Sequence, residues 1–285
     1  MHRFRFFPAL LSILLCAQYL LYVPQAQAKL AVRSAILLNM NTGRILYEQN
    51  ADASIPPASL TKIMTMYIAM DAVKAKRISL HKKTRVSRSA AATGGSRMHL
   101  KAGERVSLDE LLTGMAVASG NDAAMAVAQR VAMSSRNFVT RMNAKAKSLG
   151  MRRSVFKTPH GLPAKGQKTT ARDMLRLARS YMTVHPIAMR FHRTKAFRHG
   201  KCILYNTNRL LGTVPGVDGL KTGWIVASGY HLIVTGKRGK VRLLAVVMGG
   251  SNKNIRDREA RRLIEAGFAT PYNSKKVKQR LSGRR

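Results

Sequence analysis

Acidic side chains are scarce in this sequence. Twelve Asp and Glu stand against 51 Lys and Arg, a formal charge of +39. A surface with this excess attracts polyanions. Nucleic acid, an anionic envelope polymer or membrane surface, and a solvated basic coat with no dedicated partner all fit the charge alone. Cysteine is scarcer still, with only Cys16 and Cys202. Beyond the first residues no apolar run is long enough to span a bilayer, and there is no internal repeat. The eight histidines form no H-E-x-x-H, which argues against a zinc peptidase.

What is there begins with an address. "MHRFRF" is basic, "FPALLSILLCAQYLLYV" is apolar, and Ala26-Gln27-Ala28 is a small-x-small pattern. That is the three-part layout of a secretory signal peptide, residues 1–28, cleaved after Ala28. A retained anchor or a short buried helix is the alternative. Leu15 stands where a lipoprotein site at Cys16 needs a small residue. Cleavage removes Cys16 and leaves Cys202 without an internal partner. The mature chain, starting at Lys29 and carrying about +37, is expected to be exported to the periplasm or cell envelope. It is long enough to bury a core without a disulfide.

Strand signals gather at the two ends. "AVRSAILLNMNTGRILYEQN" reads as two strands around a turn at Asn39–Gly43. "VDGLKTG", "GYHLIVTGKRGK" and "VRLLAVVMGG" read as strands near the other end, the last two joined at Arg238-Gly239. Between them the period is helical. Ile63, Met66, Tyr67, Met70 and Val73 recur at three- and four-residue steps from Ser59 to Ala75. Ser107 with Glu110 three residues on is a capping box opening a helix through about Ala118. Further helices are expected over Asp122–Met133, Ser135–Leu149, "ARDMLRLARSYMT" and the closing "NIRDREARRLIEAGF". "ATGGSRMHLKAGERV", with a short strand, and "TPHGLPAKGQKTT" are connections. The expected class is therefore α+β: one antiparallel sheet completed by both ends of the chain, with an inserted helical block. Residues 29–270 form that domain, and residues 271–285 a basic C-terminal tail.

Three short motifs carry chemistry. Ser59-Leu60-Thr61-Lys62 is S-x-x-K, which chance supplies about once in a chain this long. Ser79–Lys82 and Ser154–Lys157 also fit the pattern. Only Ser59 opens a long apolar helix after two prolines, where the i,i+3 spacing sets Lys62 on its face. The positive end of that helix, burial and a second cation would all disfavour protonated Lys62. A neutral Lys62 can take the Ser59 proton. A capping serine followed by a solvated lysine is the simpler reading of this motif alone. Ser119-Gly120-Asn121 is S-x-N, with Ser135–Asn137 as a decoy. It falls between two helices, where Ser119 can pass a proton and the Asn121 amide can hold a carbonyl or position Lys62. An ordinary N-cap explains it equally. Lys221-Thr222-Gly223, the only K-T-G, closes a strand. Gly223 admits close backbone approach, and Thr222 with Lys221 suits a carboxylate. The bland reading is a strand-end turn.

In that order the three motifs are the set of penicillin-binding proteins and class A β-lactamases. With "ILLNMNTGRILYEQNADASIPPASLTKIMT", "LKAGERVSLDELLTGMAVASGNDAAMAVA", "TPHGLP", "ARDMLRLA" and "VDGLKTGWIVASGYHLIVTG", the chain resembles the serine D-alanyl-D-alanine carboxypeptidases from about Ala31 to Phe268. The resemblance implies the β-lactamase/transpeptidase-like fold and removal of the terminal D-alanine from peptidoglycan stem peptides. It implies Ser59 as nucleophile, Lys62 as general base and Ser119 as proton relay. Asn121 would orient the substrate, Lys221 and Thr222 would hold its terminal carboxylate, and Ser59 and Trp224 N–H groups would form the oxyanion hole. β-Lactams are implied as inhibitors, with no cofactor and no metal. Arg209, near "YNTNRLLG", is a further candidate cation for the carboxylate. Trp224 stands where some relatives carry histidine, and the β-domain and anchor helix of many relatives are not expected here. An anionic envelope surface, lipid or wall polymer, is a candidate partner of the tail, a merely disordered tail is the equal alternative, and nucleic acid is not expected. A β-lactamase, a D,D-endopeptidase of the same fold and a non-catalytic polyanion-binding protein are the alternatives. No E-x-x-L-N-like deacylation element lies between Ser119 and Lys221.

Overall fold

The computed structural model describes residues 29–283; the expected leader and its cleavage site lie outside the described residues. Strands β1 (Ser34–Asn39) and β2 (Ile45–Gln49) form the first hairpin. Strands β7 (Val217–Ile225), β8 (Gly229–Arg238) and β9 (Val241–Gly250) come from the far end of the chain. All pairings are antiparallel, in the order β2-β1-β9-β8-β7. β9 pairs with β1 through a register that sets Leu37 opposite Ala245, so both ends of the chain close one sheet. β7 is left as an edge strand, with its outer side turned to the helical block.

Period-two alternation sorts the side chains onto two faces. Ile36, Leu38, Ile233, Leu244 and Val246 join the helical core. Ala35, Leu37, Leu232, Leu243 and Ala245 join a second core under α8 (Lys253–Ala269). The block between the hairpins holds α1 (Lys62–Lys74), α2 (Arg88–Ala91), α3 (Leu108–Val117), α4 (Asn121–Ala132), α5 (Ser135–Ser148), α6 (Ala171–Val184) and α7 (Met189–Arg193). α1 is buried from Lys62 through Met70, as a helix surrounded by others must be. The expected capping box is present. Ser107 Oγ accepts from the Glu110 N–H and Glu110 Oε2 accepts from the Ser107 N–H, which fixes the start of α3 and with it the approach to Ser119.

The short strand expected within "ATGGSRMHLKAGERV" falls at its end as β4 (Arg105–Ser107), but its partner β3 (Lys83–Arg85) went unread, as did β5 (Ala196–His199) and β6 (Cys202–Tyr205), which pair with each other. Residues 271–285, expected as a tail, include a helix, α9 (Ser274–Leu281). Its two apolar residues, Val277 and Leu281, stand four apart and are buried in the second core. The Leu281 carbonyl accepts from Arg262, and Asn39 donates to the Pro271 carbonyl. Two apolar side chains among four cations are a weak pattern, although their i,i+4 spacing is what docks the helix. No described helix is long and apolar enough to cross a membrane.

Candidate active site

Pro56 and Pro57 deliver the chain into a 3-10 turn, Ala58–Thr61, that runs directly into α1. Ser59 therefore sits on the tighter turn and Lys62 on the first residue of the helix, instead of both lying within one α-helix. Ala58 has a φ of 49°. Its carbonyl is met by Gly161 of the "TPHGLP" loop so closely that a Cβ on Gly161 would lie 1.9 Å from the oxygen. Only glycine fits there, at a φ of 90°. The loop and the Ser59 turn are thus one unit, tied also by Thr65 Oγ1 donating to the Pro159 carbonyl.

Lys62 is fully buried. Its Nζ lies 2.8 Å from Ser59 Oγ, 2.7 Å from Asn121 Oδ1 and 2.8 Å from the His160 carbonyl. The last two partners only accept. A neutral amine has two N–H groups for them and one lone pair, which then faces the Ser59 hydroxyl. Burial, and then the charge of Lys221, push the Lys62 pKa well down, while Asp122 opposes them. Among the described residues no carboxylate bonds Nζ. The pair is arranged as a base and the alcohol it deprotonates.

Asn121 is fixed from two sides. Its Nδ2 donates to the Gly94 carbonyl and its own N–H to the Ser96 carbonyl. Next to it, buried Asp122 accepts from the N–H groups of Met98 and Leu100. Ser119 is buried at a φ of 60°, a left-handed conformation costing about 1 kcal/mol for a residue with a Cβ. The turn between α3 and α4 holds it there.

Lys221, Thr222 and Gly223 lie on edge strand β7. Lys221 is 1% exposed and donates to the Thr222 carbonyl. Burial, and then Arg256, lower its pKa to about 7. Thr222 Oγ1 bonds Thr207 Oγ1 at 2.7 Å. A Cβ on Gly223 would meet Leu60 N at 3.2 Å and the Pro57 carbonyl at 3.3 Å. Glycine lets β7 lie against the turn that carries Ser59. The Trp224 ring is half exposed and tilts against Tyr230. Arg209 is bonded to Asn254 and lies 3.7 Å from Asp257; among its described bonds none reaches Lys221 or Thr222. The cation acting on Lys221 is Arg256 of α8, held by Asp257.

The decoy motifs fall apart. Ser79 and Lys82 are both exposed, and Ser154 bonds Asp173 and Thr169 while Lys157 is exposed. The three selected motifs instead converge on Lys62. Lys62 bonds Ser59 and Asn121 directly and is lowered by the Lys221 charge. Comparison with known proteins agrees with that convergence. A family model described as D-alanyl-D-alanine carboxypeptidase, the S11 peptidases, matches residues 22–252. The chain belongs to that family. Against the D-alanyl-D-alanine carboxypeptidase DacF of Bacillus subtilis it is 38% identical, over 83% of this chain and 62% of DacF. Against DacC of Escherichia coli it is 41% identical, over 83% of this chain and 61% of DacC. The chain thus spans less than two thirds of the length of these relatives. The structure of DacD from Francisella tularensis superposes with a TM-score of 0.82 at 33% identity, over 87% of this chain and 72% of that one. Penicillin-binding protein D2 of Listeria monocytogenes, solved with ampicillin bound, gives 0.77 at 31%, over 84% and 98%. The fold is that of the penicillin-binding proteins and D,D-transpeptidases.

Members of the candidate site that the motifs do not name come from loops. His160 contributes a carbonyl, Gly161 an absence of side chain, Gly94 an acceptor and Thr207 a hydroxyl partner. Burial holds the His160 ring down to about 4 and keeps it neutral beside Lys62. On β8, opposite Gly223, buried His231 accepts from the Gly249 N–H at Nδ1. Its proton therefore sits on Nε2, which reaches Ser228 Oγ and the Pro56 carbonyl. That bond braces the approach to Ser59 against the sheet. A carbonyl contact leaves no trace in residue type, so sequence signals only the glycines.

Proposed function

We propose that this chain is an exported serine D-Ala-D-Ala carboxypeptidase that removes the terminal D-alanine from peptidoglycan stem peptides. The observation that carries the reading is the Lys62 amine. It is buried, 2.8 Å from Ser59 Oγ, and has its two N–H groups engaged by Asn121 and His160. In the proposed reaction Ser59 Oγ attacks the carbonyl carbon of the penultimate residue as its proton passes to Lys62 Nζ. The N–H groups of Ser59 and Trp224 stabilise the oxyanion. Lys221 and Thr222 hold the terminal carboxylate. The C–N bond breaks, the departing amine takes a proton through Ser119, and an ester remains on Ser59. Water then attacks the ester and restores the hydroxyl. A β-lactam presents an acyl group and carboxylate to the same donors and would leave a long-lived ester; ampicillin bound to the Listeria protein supports this.

The test is free D-alanine release from a peptide ending in D-Ala-D-Ala, with mass spectrometry after penicillin treatment. The expected outcome is release by wild type and one penicilloyl adduct on the peptide containing Ser59, absent in Ser59→Ala. No release across pH, or an adduct elsewhere, overturns the reading. Fast penicillin turnover would instead favour the β-lactamase alternative.

A further inference from the structure

The scarce carboxylates of this protein are engaged within the fold. Asp173, Asp218, Glu259 and Glu265 pair with Arg176, Arg242, Arg262 and Arg238, Asp122 takes backbone N–H groups, and Glu110 closes its capping box. Among the described residues Glu48 is the one exposed carboxylate, and it bonds Arg172. Most lysines and arginines are exposed. They are not gathered on one side. Arg44 lies in the β1–β2 turn, Lys74 at the end of α1, Arg136 on α5, Lys240 at the β8–β9 turn and Lys276 on α9. A planar bilayer touches one side of a globule, whereas a flexible or meshed polyanion reaches all of them.

The same charge continues to the segments that brace the candidate site. Exposed Arg97 follows Ser96, whose carbonyl accepts the Asn121 N–H. Exposed Lys157 opens the loop whose His160 carbonyl holds Lys62. Exposed Lys195 offers its carbonyl to the N–H of Asn206, the residue before Thr207. Each of these three segments therefore carries a cation with no described carboxylate partner. We propose that this coat docks the anionic, carboxylate-bearing polymer to which the substrate peptide is attached. The preferred substrate class is then polymer-bound stems, with free peptide a poorer one. This inference rests on the carboxypeptidase reading for its substrate.

Full-length Ser59→Ala, which binds without turnover, is sedimented with insoluble peptidoglycan carrying pentapeptide stems at rising sodium chloride. Retention is expected to weaken about tenfold or more between roughly 50 and 300 mM, because bound polyanion releases its counterions. Wild-type kcat/KM on the polymer should fall in parallel. On a soluble peptide ending in D-Ala-D-Ala it should change by less than about twofold, since one charge at contact range is weakly screened. The combined variant Arg97→Glu, Lys157→Glu, Lys195→Glu should weaken polymer binding and lower kcat/KM on the polymer while keeping its rate on the soluble peptide. Salt-independent retention overturns the inference, and so does tighter binding to phosphatidylglycerol vesicles than to the polymer. Failure of wild type to cleave either substrate would sink the carboxypeptidase reading alone, and the binding measurements would still decide the docking surface.

Discussion

The two faces of the sheet are built to different standards. The face under α8 and α9 is closed by apolar side chains, among them Leu37, Leu243, Leu263 and Val277, and its buried Glu259 carboxylate is paired with Arg258 and Arg262. The face under α1 carries, besides a larger apolar core, two buried lysines, the buried Ser119, Asn121 and Asp122, and left-handed backbone at Ala58 and Ser119. Buried amines and left-handed non-glycine residues both cost stability. The front face tolerates them because the rest of its core and the whole back face do not share the cost. Stability and chemistry are divided across one sheet, and substitutions on either side should separate them.

The largest effect is expected at the front. Ser59→Ala and Lys62→Met should each lower D-alanine release by about 10³-fold or more, since nucleophile and base act as a unit. Neither should lower the melting temperature much. Lys62→Met should raise it, because the change removes a buried amine whose burial disfavours its charge. Equal loss of activity and stability in both variants would mean that the front face is structural.

Lys221→Met sharpens the contrast and carries a pH signature. Activity should fall by about 10²-fold as the carboxylate loses its cation. Stability should rise at pH 7. The folded-state pKa, about 7, lies below the unfolded value of 10.5. Between those values the unfolded chain binds the extra proton, so wild-type stability climbs as pH rises from about 7 toward 10.5. Below about 7 the burial penalty is fully present. The gap in melting temperature between variant and wild type should therefore be widest near or below pH 7 and shrink toward pH 10.5. A constant gap would show that the folded chain does not depress this amine. The same proton governs kcat/KM, whose alkaline limb should fall near pH 7 in the free enzyme.

At the back the expectation reverses. Leu263→Ala empties a fully buried position of α8. It should cost about 2–5 kcal/mol of stability, read as a lower denaturation midpoint. Well below the melting temperature kcat/KM should stay within about twofold of wild type.

Sequence exposed these two faces unequally. The back was legible as period-two strands and a closing helix, because apolar alternation is itself what buries them. The capping box at Ser107 and the S-x-x-K, S-x-N and K-T-G side chains were legible as well, since side-chain chemistry is written in residue type. The "TPHGLP" loop was recognisable as a loop, but its role was not, because it acts through the His160 carbonyl and the missing side chain of Gly161. Arg209, near "YNTNRLLG", was a candidate cation for the carboxylate. The structure gives its guanidinium to Asn254 and Asp257 and places Arg256, from another element, beside Lys221. α9 was hidden because two apolar residues among cations are too few to mark a face.

The smallest change tests where the two faces meet. Asn252 caps α8, its Oδ1 accepting from the Ile255 N–H. Asn252→Ala should cost about 1 kcal/mol, the usual worth of such a cap. A back-face residue of that size would normally leave catalysis alone. However, the first turn of α8 also carries Arg256, the cation that helps hold Lys221 down. Fraying that turn lets Arg256 withdraw, and the Lys221 pKa should then drift upward toward its ordinary value. The alkaline limb of kcat/KM should move up by a few tenths of a pH unit. Asn252→Asp, which keeps the cap, should restore the limb. A limb that stays fixed while stability drops would show that the faces are independent even at their junction. A limb that moves would make the start of α8 the one place where the stable face sets the charge state of the chemical one.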